Sequence, residues 1–159
     1  LGAQLLAVAA GGAVQPLQVG LPPQPLKEVG YGSIHWLMKP SSEPLLKGLQ
    51  PSEMVLHWHG DRIQLPQTAT LLGSSLHCPE QVFLIGRNAV GLQCHMELTT
   101  KNLERWIQED HDYIVSAMGK NGPEQLRLDS ERFGASIQQQ GSQLIRNILQ
   151  EFSLSTRKN

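Results

Sequence analysis

The sequence predicts an α/β fold, and more narrowly the later part of one. Three observations point there. One helical segment opens the chain, a long series of short β-rich segments follows, and apolar residues at helical spacing return only after residue 100. A complete domain of this class alternates βαβ throughout. The parallel strands and first helices are therefore expected upstream of the residues given, and Leu1, which replaces the usual Met, is expected not to be the true start.

The elements follow in order. Leu1 to Ala10 predicts a short helix with Leu1, Leu5 and Val8 on one face, stopped by Gly11-Gly12. That apolar run has no positive charge before it and is interrupted by Gln4, so it is not expected to be a signal peptide. Val14 to Pro25 carries Pro16, Pro22, Pro23 and Pro25 and predicts strand and loop. Lys27 to Met38 predicts one extended strand or a bent pair, and Pro40 to Gly48 a loop with one helical turn. Met54 to His59 is a strand, Gly60-Asp61 a turn, Arg62 to Leu65 a short return strand, and Thr70 to Ser74 a further strand. Val82 to Ile85 and Ala89 to His95 form a hairpin around Gly86-Arg87-Asn88. Leu103, Trp106, Ile107, Ile114 and Met118 then recur at helical spacing, and Gly119 closes that helix. Pro123 opens a shorter helix, and Ile137 to Phe152 marks a longer one whose apolar stripe serves core packing rather than an interface.

Composition narrows the function. The 159 residues suffice for one domain, and a charged fraction of 17%, below the typical ~25%, excludes a disordered chain. Thirteen Lys+Arg against fourteen Asp+Glu provide no basic face for nucleic acid. No run of ~18 apolar residues spans a membrane. Cys78 and Cys94, with no Cys-x-x-Cys, predict buried free thiols and a reducing, cytoplasmic setting.

His95 and Glu97 are the first chemical candidates. At i, i+2 in an extended chain, both side chains point to one side. A carboxylate beside an imidazole raises its basicity and fixes its tautomer, which suits a general base. Strand ends are also where open α/β sheets place active sites. A zinc deaminase would need Cys residues after Glu97, and there are none. His57-Trp58-His59 with Asp61 could hold metal only if His35 or His77 arrived through the fold; the simpler reading packs Trp58 and hydrogen-bonds the His residues. Gly11-Gly12 lacks the Gly-Lys-Ser/Thr of a phosphate loop.

Taken together, these segments resemble the class I glutamine amidotransferase domain, the Cys-His-Glu triad family. Leu1-Gly2-Ala3-Gln4-Leu5-Leu6-Ala7 is similar to the tail of its nucleophile motif, Gly-x-Cys-x-Gly-x-Gln. Gly11-Gly12 resembles the glycine pair after the nucleophile helix, and His57-Trp58-His59-Gly60-Asp61 its His-Gly-Asp turn. Gly91-Leu92-Gln93-Cys94-His95-Met96-Glu97-Leu98-Thr99 resembles Gly-x-Gln-x-His-Pro-Glu-x-Thr. Order and spacing agree over roughly residues 1 to 118, with the free-standing, GMP-synthetase-like group nearest in character. Met96 stands where the family usually has Pro, and Cys94 where it usually has Phe. Met96 loosens the backbone between His95 and Glu97, because Pro would have fixed φ.

The resemblance implies a flavodoxin-like, doubly wound sheet with an antiparallel strand extension and C-terminal helices. Residues 1–118 would be the C-terminal part of the amidotransferase domain, and 119–159 a helical extension packed on it. It implies a nucleophilic Cys immediately before Leu1, outside this chain, with neither Cys78 nor Cys94 in that role. His95 would activate the thiol and Glu97 would orient His95. The Leu1 backbone N–H would serve the oxyanion, Gly2 the tight turn, and Gln4 the substrate. The expected reaction is hydrolysis of the glutamine side-chain amide through a thioester, with no metal and no cofactor. Expected partners are glutamine or a γ-glutamyl substrate, and an acceptor enzyme or a second copy. A γ-glutamyl peptidase with the same triad, or an inactive relative kept for binding, are the alternatives. Without a thiol before Leu1 the chain is expected to be inactive.

Overall fold

In the computed structural model, residues 1–156 are described, with side chains to residue 153; the last three residues of the expected 119–159 extension lie outside them. Helix α1 spans Gly2–Ala9. Ala and Leu favour helix, and the turn ends where Gly11 takes φ +93° and the Gly12 N–H returns to the Ala7 carbonyl at 2.8 Å. The helix rests on small residues, Ala3 and Ala7, which meet Ile63 and Phe83. The Leu1, Leu5 and Val8 stripe is instead its exposed face, at 84%, 59% and 51%.

Among the described residues nine strands follow. β1 (Ala13–Pro16) pairs antiparallel with β6 (Asp61–Gln64), and β2 (Gln18–Val19) with β3 (Gln24–Pro25). The main sheet has the order β5-β4-β7-β8-β9, with β4 Glu28–Trp36, β5 Ser52–His59, β7 Ala69–Ser74, β8 Val82–Ile85 and β9 Ala89–Leu92. Each of its pairings is antiparallel. Lys27 to Met38 is thus one strand, and the 3-10 turn Pro44–Leu46 supplies the expected single turn. The expected return strand after Gly60 differs. One residue is too short for a hairpin loop, so the chain continues past β5 and β6 pairs with β1.

The β8–β9 hairpin turns through Gly86 at φ +61°. Within it, Phe83 lies opposite Gly91, where an added Cβ would fall 2.2 Å from the ring. Gly91→Ala should therefore force the ring aside and cost about 1–3 kcal/mol, read as a lower urea midpoint at unchanged slope. Beyond β9, His95 exchanges two backbone hydrogen bonds with Leu56 of β5, at 2.8 and 3.0 Å. The end of the last strand thereby meets the opposite edge strand, and the sheet curls on itself. The predicted Ala89–His95 strand is interrupted at Leu92 for that crossing.

The helices also differ from expectation. The single helix over 103–118 is two, α2 (Thr100–Glu109) and α3 (His111–Met118). The Thr99 hydroxyl caps α2 through the Asn102 N–H at 3.3 Å. Asp110 breaks the run, and its carboxylate accepts from Trp58 Nε1 at 3.0 Å. Conversely, the two helices expected from Pro123 onward are one, α4 (Gly122–Thr156, 35 residues). Leu126, Ile137 and Leu144 face inward along it, against the sheet and α2–α3. Among the described residues, no helix is long and apolar enough to cross a membrane.

Candidate functional site

The fold brings His95 and Glu97 together. His95 is pinned to β5 by its own N–H and carbonyl. Its Nδ1 lies 2.7 Å from Glu97 Oε1, and Glu97 Oε2 accepts the Met96 N–H at 3.0 Å. Partial loss of solvent around the Glu97 carboxyl pushes it up. The hydrogen bond and charge of His95 and the local backbone N–H groups outweigh it, and the carboxyl stays below its ordinary range. The imidazole stands edge-on to Trp106, with centroids 5.0 Å apart and planes at 88°. Trp106 meets Trp58 at 5.3 Å, and Trp58 is tied to Asp110. With Nδ1 engaged by Glu97, Nε2 is the nitrogen left for a reacting proton.

Leu1, Gly2 and Gln4 sit in the first turn of α1, which packs on β9, β1 and β6. Leu1 occupies the N-cap, where backbone N–H groups have no intrahelical partner. Within the described residues, nothing crowds a Cβ built at Gly2, and no hydrogen bond joins Leu1, Gly2 or Gln4 to the pair. Cys78 and Cys94 are buried free thiols, and burial pushes each up to about 12. A thiol so placed is a poor nucleophile. A cavity of about 440 Å³ flanks Glu97, between the Met96–Thr99 segment and α4.

A second polar group is buried beneath the sheet. The β4–β5 register sets Glu28 opposite His59. Glu28 Oε2 lies 3.1 Å from His59 Nε2 and accepts Gln81 Nε2 at 2.8 Å, while Oε1 accepts the Ser75 hydroxyl at 2.8 Å. His59 Nδ1 donates to the Asp61 carbonyl at 2.9 Å. Asp61 thus contributes a backbone atom rather than its carboxylate. Among the described residues, the ligand-type cluster is Glu28, His59 and Cys78, a different set from the disfavoured alternative of His57, His59 and Asp61 with His35 or His77. Its carboxylate and imidazole already exchange hydrogen bonds with protein groups, so it behaves as a polar core. The sequence offered no sign of Glu28, because the strand register that pairs it with His59 is a tertiary fact.

His57 lies beside this group, 3.8 Å from Glu28 Oε2. Burial pushes its pKa down to about 4, aided by the charges of His59 and His95 and opposed by Glu28. The unfolded imidazole takes its proton near 6.5, so between 6.5 and 4 the unfolded state binds more protons. Stability held above pH 6.5 should therefore fall as pH drops towards 4, by roughly 3 kcal/mol from this residue. Urea unfolding at pH 7 and 4.5 checks it, and His57→Leu should flatten that dependence.

The glutamine amidotransferase class-I family model matches residues 1–111. The glutamine amidotransferase-like protein YfeJ of Salmonella typhimurium is 33% identical over 155 residues, which cover 98% of this chain and 60% of that protein. A glutamine-hydrolysing GMP synthase of Lactobacillus delbrueckii subsp. bulgaricus is 32% identical over 80 residues, covering 50% of this chain and 16% of that protein. A crystal structure of a Thermotoga maritima glutamine amidotransferase superposes with a TM-score of 0.75 at 26% identity, covering 92% of this chain and 59% of that one. A Methylobacillus flagellatus glutamine amidotransferase gives 0.75 at 19% identity, covering 94% and 59%, and supports the fold alone. The chain is thus mixed α/β, with a curled antiparallel sheet and C-terminal helices, and the solved amidotransferases it superposes on have the flavodoxin-like fold. The chain spans about 60% of the length of the relatives that cover most of it.

Proposed function

We propose that this chain, which belongs to the class I glutamine amidotransferase family, carries the His-Glu part of a glutamine-hydrolysing site whose nucleophilic cysteine directly precedes Leu1. The observation that supports it most is the 2.7 Å contact between His95 Nδ1 and Glu97 Oε1. It leaves Nε2 free for a thiol. His95 takes the thiol proton, and the thiolate attacks the side-chain amide carbon of glutamine. The oxyanion meets the Leu1 backbone N–H at the start of α1, where the helix dipole is positive. His95 returns the proton to the departing nitrogen, ammonia leaves, and a γ-glutamyl thioester remains. Water, deprotonated by His95, then releases glutamate and restores the thiol. Gly2 and Gln4 line the substrate side of the same turn.

We assign residues 1–118 to the amidotransferase domain and 119–159 to a helical extension on it. The packing of α4 against β4, β5, α2 and α3 supports its place on that same domain. The ammonia acceptor is proposed to lie on another domain or chain, in keeping with the similarity of 80 residues to a glutamine-hydrolysing GMP synthase.

The test measures glutamate and ammonia released from glutamine by the chain with its encoded upstream residues. Release is the expected result. No release from glutamine but turnover of γ-glutamyl dipeptides would transfer the site to a peptidase. No release from either would favour a binding role. Residues 1–159 alone should release none, because both of their thiols are buried; measurable turnover by them would place the nucleophile elsewhere.

A further inference from the structure

We infer that Met96 and Gly141 are positioning residues for the His95–Glu97 pair, and that helix α4 braces the dyad through them. The inference rests on the dyad reading above. Met96 stands where related motifs usually carry Pro. Proline would fix φ but has no N–H to give. Here that N–H donates to Glu97 Oε2 at 3.0 Å, while Oε1 holds His95 Nδ1 at 2.7 Å. Both carboxylate oxygens are therefore engaged. The second anchor matters because the Glu97 side chain is 61% exposed. An exposed ion pair held at one point is readily lost to water.

The backbone that supplies this N–H is itself held from behind. A Cβ built on Gly141 would lie 2.3 Å from the Met96 carbonyl oxygen, 2.9 Å from its Cβ and 3.0 Å from its carbonyl carbon. Two of these three atoms are backbone, which cannot swing aside as a flexible side chain can. Only glycine lets α4 lie against that peptide. Ile137 and Leu144, one turn to either side of Gly141, share a buried cluster with the Met96 side chain. Asn147, further along α4, donates to the Leu45 and Lys47 carbonyls at 2.9 and 2.8 Å and ties the helix to the 3-10 turn. The helix is thus anchored on both flanks of the contact. What a proline would do through φ, this chain does through a hydrogen bond and a helix.

Gly134, two turns earlier on α4, is the internal control. A Cβ there would meet only the Ser130 hydroxyl at 3.5 Å and the Thr100 hydroxyl at 4.0 Å, in ordinary contact.

Carbon-detected NMR of the Glu97 carboxyl in the full chain tests the inference without needing turnover. Gly141→Ala should raise the Glu97 titration midpoint by at least about half the rise produced by His95→Ala, since the dyad and Met96 contacts are what hold it down. Gly134→Ala should leave that midpoint unchanged and raise the melting temperature. A folded Gly141→Ala chain with the wild-type Glu97 midpoint would overturn the brace. Should that variant fail to fold, the wild-type chain still decides. Its Met96 amide-proton resonance should follow Glu97 protonation, and a resonance indifferent to it would overturn the proposal. In the chain with its upstream cysteine, Gly141→Ala should lower kcat at least about fivefold with KM little changed. If glutamine is not a substrate at all, the function reading fails while the NMR outcome still decides the brace.

Discussion

His95→Ala, placed in the chain with its upstream cysteine, should lower kcat/KM for glutamine by about 10²–10⁴-fold, equivalent to about 3–5 kcal/mol of transition-state stabilisation. The size follows from the two jobs proposed for one imidazole, taking the thiol proton and giving it to the leaving nitrogen. The fold should survive the change. The two hydrogen bonds from residue 95 to Leu56 are backbone bonds, which alanine keeps. Far-ultraviolet circular dichroism and the urea midpoint should therefore stay near wild type while turnover collapses. Glu97→Gln should cost less, because an amide oxygen can still accept from Nδ1 although the charge is gone. Stopped assays of glutamate release against both variants check the ordering. A His95→Ala chain that retains a tenth or more of wild-type kcat/KM would remove His95 from the chemistry.

Glu28→Ala should be the most damaging change to stability, at about 3–5 kcal/mol. The carboxylate accepts from Ser75 and Gln81 and contacts His59, inside the sheet. Removing it leaves Ser75 with the Cys78 carbonyl alone as acceptor, Gln81 Nε2 with only Ser75 and His59, and His59 without its carboxylate neighbour, and buried polar groups stripped of a partner lose solvation they cannot recover. Against a domain stability of typically 5–15 kcal/mol, that loss approaches unfolding. The urea midpoint at pH 7 should fall steeply. A fall of less than about 1 kcal/mol would mean that water or a rearranged Gln81 replaces the carboxylate. Glu28→Gln, which retains shape and one acceptor oxygen, should fall between alanine and wild type.

Much of the site was readable because it is local. His95 and Glu97 are two residues apart, and an extended chain puts their side chains on one side whatever surrounds them. The helix of residues 2–9 and the Gly86 hairpin were equally local. What escaped the sequence depends on contacts between distant segments. The sequence put Leu1, Leu5 and Val8 on one face of α1 without saying where that face lies, and the helix approaches its strands through Ala3 and Ala7 instead. Small side chains let helix and strand backbones come close, and periodicity alone does not reveal that preference. The break at Asp110 is fixed by Trp58, some fifty residues earlier. The stretch from Pro123 onward reads in sequence as a shorter helix and then a longer one over Ile137 to Phe152, and it is one helix because Leu126, Ile137 and Leu144 pack continuously on the sheet and on α2–α3.

The sequence by itself determined the α/β class, the His-Glu pair and the family to which they point, because short-range geometry and motif spacing survive without knowledge of the fold. Only the tertiary structure decided that Glu28 meets His59, that Trp106 backs His95, and that α4 closes on Met96. Each of these depends on strand register or helix docking, which are set by the packing of the whole chain rather than by any one segment of it.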